Sequence, residues 1–121
     1  MNHERQRLGG LGEDAAAELL RSRGFRIVGR NHRCRLGEVD LIAEQGDLLV
    51  FVEVRTRATA MFGGPEETVG ARKQRRVIAA ARDWLARRRG PERAARFDVI
   101  AVVDGPQGPT LTHYENAFEA G

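Results

Sequence analysis

Residues 38–53 carry Glu38, Asp40, Glu44, Asp47 and Glu53 and no basic residue, a run of carboxylates on otherwise apolar chain. Residues 72–89 show the reverse: Arg72, Lys73, Arg75, Arg76, Arg82, Arg87, Arg88 and Arg89 against Asp83 alone. Carboxylates hold divalent cations, and closely spaced arginines hold phosphates, so the two segments together suit a protein that processes a polyanion. The plain alternative is that both runs are solvated faces. All but one of the basic residues are arginine, Lys73 being the sole lysine.

Elements that could bring these segments together follow from patterning. Residues 9–23 read as a helix, with Ala15, Ala16, Ala17, Leu19 and Leu20 as formers and Gly24 as its cap. Residues 25–28 make a short strand closed by Gly29. Two stronger strands, over 38–43 and 48–55, flank Glu44-Gln45-Gly46-Asp47, a hairpin signal. Residues 57–68 read as a loop. Val77, Ala80, Ala81, Trp84 and Leu85 recur at helical spacing within a second helix over 69–89, stopped by Gly90-Pro91. Residues 97–103 form the most apolar strand, expected at the centre of the sheet, and residues 110–114 an outer one. The resulting fold class is α/β, in the order α-β-β-β-α-β-β, one mixed sheet flanked by helices.

The hairpin decides which carboxylates meet. With Gln45-Gly46 as the turn, Asp40 faces Phe51 and Glu38 faces Glu53, and Glu38, Asp40, Glu53 and Arg55 all project from one face. Asp40 and Glu53 are then diagonal neighbours, roughly 7–8 Å apart at the backbone. Val50, Val52 and Val54 make the opposite face apolar, so the acids are partly buried and costly unless something offsets them. Mg²⁺ would do so, since it takes one or two carboxylates and completes its shell with water and phosphate. Arg55 could contact the same phosphate bidentately, or simply pair with Glu53. Glu13 extends the stripe Ala16, Ala17, Leu20 on the first helix, the face that should meet the sheet. An acid near a helix N-terminus is also favourable by itself, a role that Asp14 could fill alone.

The 121 residues make one domain, with 41% hydrophobic and 31% charged residues, an ordinary globular balance. A single cysteine, Cys34, excludes a disulfide framework within the chain. No apolar run approaches the roughly 18 residues that cross a bilayer, and the first seven residues are too polar for a signal peptide. The expectation is a soluble cytoplasmic domain with no membrane partner.

Several blocks then stand in a particular order: Gly12-Glu13, Arg30-Asn31, residues 37–42 (GEVDLI), residues 51–57 (FVEVRTR), Phe62-Gly63, residues 73–76 (KQRR) and residues 96–99 (RFDV). Together they resemble the YraN-like family, an uncharacterised group of small bacterial proteins predicted to be nucleases. Its pattern is similar to the restriction-endonuclease-like fold, with an α-β-β-β-α-β core, and within it to the archaeal Holliday-junction resolvases. The resemblance implies metal ligation by Asp40 and Glu53, with Glu13 as a further acidic member. It also implies that Arg55 stands where such nucleases carry lysine. Arginine supplies charge and two parallel hydrogen bonds, but with a pKa above about 12 it is no base.

The expected function is therefore a Mg²⁺- or Mn²⁺-dependent endonuclease on DNA, structured or branched. Asp40, Glu53 and Glu13 form its centre, Arg55 stabilises the transition state, and Arg72, Lys73, Arg75 and Arg76 hold the flanking backbone. The alternative is a non-catalytic nucleic-acid-binding module with a degenerate site. A homodimer is expected by analogy only. Gly9-Gly10-Leu11-Gly12 lacks the residues of a phosphate loop and reads as a flexible lead-in. His3, His32 and His113 show no ligand spacing and are assigned surface or edge roles, and Trp84 is assigned to the core.

Overall fold

The computed structural model describes residues 3–57, 69–88, 90 and 92–120, with side chains from residue 10 onward. The elements are α1 (His3–Ser22), β1 (Arg26–Cys34), β2 (Gly37–Gln45), β3 (Leu48–Arg57), α2 (Ala71–Arg87), β4 (Ala94–Val103) and β5 (Thr110–Phe118). One five-stranded sheet runs in the order β1-β2-β3-β4-β5. Its neighbours are antiparallel except β3 and β4, which are parallel. A parallel pair needs a crossover, and α2 lies within it. This is the mixed sheet between helices that the patterning predicts.

Strand alternation sorts the core into two layers. Val50 and Val52 join Ala16, Ala17 and Leu20 of α1, with Leu41, Ile100 and Val102. Leu49 and Phe51 point the other way, to Val77, Ala80, Ala81 and Trp84 of α2. There the Phe51 ring meets Trp84 edge-on at 5.9 Å and stacks on Phe97 at 5.7 Å. Trp84 belongs to the core, as expected, and β3 is buried on both faces, which explains its unbroken apolar run.

Four local expectations need correction. The glycines at 9–12 are helical, not a flexible lead-in: α1 begins before them, and a Cβ on Gly12 would collide with Thr56 Oγ1 of β3. Glycine there permits close approach of helix and sheet. Strand β1 does not close at Gly29 but continues to Cys34, because a bulge between Ile27 and Gly29 absorbs the irregularity. The central strand is β3; the apolar β4 lies between β3 and β5.

The fourth correction concerns the hairpin. Gln45 pairs with Leu48, so the turn residues are Gly46 and Asp47, not Gln45 and Gly46. Gly46 has φ +58°, and a two-residue turn accepts a left-handed glycine at its first position. Partners along β3 therefore move by two residues: Phe51 faces Ile42, not Asp40. An even displacement preserves the faces, so the acidic side chains stay on the side assigned to them.

Candidate active site

The β2–β3 ladder ends at Leu41 opposite Val52, and the next residues outward are Asp40 and Glu53. At this fork β2 remains paired to β1 through Val39 and His32, and β3 remains paired to β4 as far as Arg57 and Val103. Asp40 Oδ2 accepts the Val54 N–H at 2.7 Å, taking the place of a ladder bond. The two carboxylates are thus direct neighbours rather than the diagonal pair expected from a turn at Gln45-Gly46.

The fork is an unfavourable place for two negative charges. Glu53 is only 4% exposed. Burial first, then the hydrogen-bonding contact and charge of Glu53, push the Asp40 carboxyl up to about 8. The Val54 N–H and the Lys73 ammonium pull the other way and offset this only in part. Glu53 Oε2 is buried with no hydrogen-bond partner among the described residues. Lys73 Nζ approaches that oxygen to 3.2 Å, outside hydrogen-bond alignment, so the contact is held by charge alone.

Helix α2 delivers Lys73 from its first turn, and the ammonium also lies 3.9 Å from Glu38 Oε1. The expectation for Lys73 was a DNA backbone contact together with Arg72, Arg75 and Arg76. The structure divides the four: Lys73 turns inward to the carboxylates, while Arg72, Arg75 and Arg76 are exposed on the same helix. A Cβ on Gly37 would strike the Arg76 carbonyl, so β2 and α2 are in close contact where Lys73 reaches in. Arg55 lies two residues beyond Glu53 on the same face, half-buried, opposite Ala101 of β4.

Glu13 comes from the other layer. Its helix packs on the Val50–Val52 face, yet its carboxylate reaches the end of the sheet, where Asn31 Nδ2 donates to it at 3.0 Å. Burial raises its pKa, the Asn31 bond opposes this, and the charge of Asp40 adds to the rise. Glu13 and Asp40 therefore sense one another across the sheet edge. Asp14 pairs instead with Arg30 at 2.7 Å. The remaining acids of the run lie elsewhere: Glu44, at the turn end of β2, is held by Arg26 and Arg93, and Asp47 is exposed in the turn.

A divalent cation fits the fork by the chemistry of its donors. Glu53 offers a buried oxygen without a hydrogen bond, and burial, the hydrogen-bonding contact with Glu53 and its charge hold the Asp40 carboxyl well above the usual carboxylate range. Among the described residues no three side chains of His, Cys, Asp or Glu converge as a ligand set. Asp40 and Glu53 are accordingly the pair that would hold the ion, a number that Mg²⁺ commonly takes.

Reasoning from sequence missed a second buried acid. Asp98 of β4 is fully buried and ringed by Arg96, His113 and the Asn116 N–H. The His113 side chain is wholly buried there, not a surface group, though its strand is at the edge as expected. The available signal was an aspartate inside the most apolar strand of the chain.

The chain is thus an α/β protein with an α-β-β-β-α-β core, a five-stranded mixed sheet between two helices, and a carboxylate pair, Glu53 buried and Asp40 half-buried, at its strand fork. It belongs to the uncharacterised protein family UPF0102, the YraN family, whose model matches residues 12–102. It is 56% identical over 115 residues to the UPF0102 protein of Anaeromyxobacter dehalogenans, covering 95% of this chain and 86% of the relative. The UPF0102 protein of Geobacter sulfurreducens is 48% identical over 119 residues, 98% of this chain and 93% of its own length. That of Symbiobacterium thermophilum is 48% identical over 116 residues, with 95% and 98% covered. No helix among the described residues is long and apolar enough to cross a membrane.

Proposed function

We propose that this protein is a metal-dependent endonuclease acting on DNA, structured or branched DNA being the substrate class that its motif resemblance favours. One observation carries the reading: the half-buried Asp40 beside the buried Glu53 at the fork, with an unpartnered Glu53 oxygen, next to a helix whose exposed face is arginine. A purely structural pair of acids would be expected to have found full hydrogen-bond partners. Asp40 and Glu53 would hold Mg²⁺ or Mn²⁺, with Glu13 close enough to tune their charge. Bound there, the ion supplies Lewis acidity, acidifying water and neutralising phosphate charge. The chain's own groups do the rest. Arg72, Arg75 and Arg76 position the DNA backbone, and Arg55 stabilises charge developing on the phosphate without accepting a proton.

Arg55 at the position where resembling nucleases carry lysine favours a second reading, a DNA binder without turnover. A cleavage assay on branched DNA with Mn²⁺, paired with binding on the same samples, separates the two. Asp40→Ala and Glu53→Ala should abolish cleavage and leave DNA affinity within a few-fold. Binding without cleavage by the wild type would establish the second reading, and equal loss of both activities in the variants would count against the assigned centre.

A further inference from the structure

Lys73 is the sole lysine among 20 basic residues, and among the described residues it is the cation paired with the buried Glu53 of the fork. Its exposure is partial: the side chain is 29% accessible, whereas that of Glu53 is 5%. The ammonium lies 3.2 Å from Glu53 Oε2, the oxygen without a hydrogen bond, and 3.9 Å from Glu38 Oε1. Glu38 is a third exposed and is also met by Arg33 at 3.1 Å. The lysine thus bridges an inner carboxylate with one oxygen lacking a hydrogen bond and an outer one that has another cation.

A compact ammonium on a flexible stem suits temporary neutralisation better than arginine does. A guanidinium would clamp Glu53 through two parallel hydrogen bonds and lock it, whereas a lone point charge is displaced without breaking an aligned pair. A divalent ion at the fork would need the same Glu53 oxygen. It would also place two more positive charges within a few ångströms of the ammonium, in a site where burial weakens screening.

We infer that Lys73 is the resident counter-cation of the carboxylate pair, competing with the divalent ion for Glu53 Oε2, so that metal loading moves the ammonium outward toward Glu38 and the substrate side. This inference rests on the metal reading proposed above and describes how that site is kept neutral before loading. It makes metal affinity depend on a residue that ligates nothing. It also turns the lysine into a free cation at the moment the site is charged.

Two measurements on the full chain test it. The first is Mn²⁺ binding by calorimetry, in buffer alkaline enough to ionise Asp40, for wild type, Lys73→Met, Lys73→Gln and Asp40→Asn. Removing the competing charge should tighten Mn²⁺ binding roughly tenfold in both lysine variants. The second exploits the single lysine. A ¹³Cε-lysine label gives one side-chain NMR signal, and Mg²⁺ should shift it along the binding isotherm in wild type but not in Asp40→Asn. Tighter binding together with that shift supports the competition. Unchanged or weaker binding in both lysine variants, with Mn²⁺ still bound by wild type, overturns it and leaves the carboxylate centre standing. No Mn²⁺ binding by any form sinks both the competition and the metal reading.

Discussion

Two aspartates, Asp98 buried and Asp40 half-buried, interrupt the sheet, and they do so in the same way with opposite consequences. Asp40 lies where the β2–β3 ladder ends and accepts the Val54 N–H; Asp98 lies where the β4–β5 register shifts and accepts the Asn116 N–H. Asn116 turns to φ +51° at this irregularity. From there the surroundings diverge. Asp98 takes both guanidinium nitrogens of Arg96, at 2.8 and 2.9 Å, and His113 Nε2 at 2.7 Å. The Arg23 guanidinium can only donate, so its 2.8 Å contact with His113 Nδ1 leaves Nε2–H to donate to Asp98. Asp40 has a carboxylate for its closest ionic neighbour and a lysine at one remove.

The titration behaviour follows the partners. Burial pushes Asp98 up, but the bonds from His113, Arg96 and the Asn116 N–H more than reverse this and hold it below the usual carboxylate range. Burial pushes Asp40 the same way, and Glu53 adds to it instead of opposing it. Burial alone therefore does not mark a functional acid. What distinguishes the fork is burial with the hydrogen bonding left incomplete, the arrangement expected where a ligand supplies the missing charge.

Substitution should separate the two regions by sign as well as size. Asp98→Ala strands a half-buried arginine, a buried histidine side chain and a backbone N–H, and should lower the unfolding free energy by about 3–5 kcal/mol in a denaturant titration. A loss below 1 kcal/mol would mean that water takes over those partners and that the contrast is overstated. Asp40→Asn should act in the opposite direction at alkaline pH. The amide keeps an acceptor for Val54 N–H and removes a like charge beside Glu53, so stability should rise by about 0.5–2 kcal/mol while cleavage is lost.

A third difference is a slope. Asp40 has a folded value of about 8 against an ordinary 3.8, so the folded chain binds the extra proton between those limits. Its contribution to stability is full below the ordinary value and disappears as pH rises through about 8, at no more than about 1.4 kcal/mol per pH unit. Asp98 has the reverse sign: its contribution is present above the ordinary value and is lost as pH falls through its lowered one. Stability curves for wild type and Asp40→Asn should differ in slope between about 4 and 8. Parallel curves would show that Asp40 is an ordinary surface-like acid.

Much of this was legible from residue order. The two helices, the hairpin, the α/β class and the face shared by Asp40, Glu53 and Arg55 follow from apolar periods of two and 3.6, which short-range sterics impose on any chain. The family resemblance singled out Glu13, Asp40, Glu53 and Arg55 by position. The register did not follow, because Gly46 satisfies a two-residue turn from either turn position, and only the pairing along both strands selects one. The helical glycines of α1 were hidden for a related reason: glycine propensity argues against a helix, and the packing of Gly12 on Thr56 overrides it.

Sequence by itself determined which residues are acidic, which face of each strand they occupy, and that one segment is basic, since these depend on residue identity and local repeat alone. The tertiary structure decided that Asp40 and Glu53 are neighbours at the end of a ladder, that Lys73 and not Arg55 is paired with Glu53, and that Asp98 is satisfied where Asp40 is not. Those outcomes depend on contacts between residues far apart in the chain, where the free energy of a charge is set by which partners folding delivers to it.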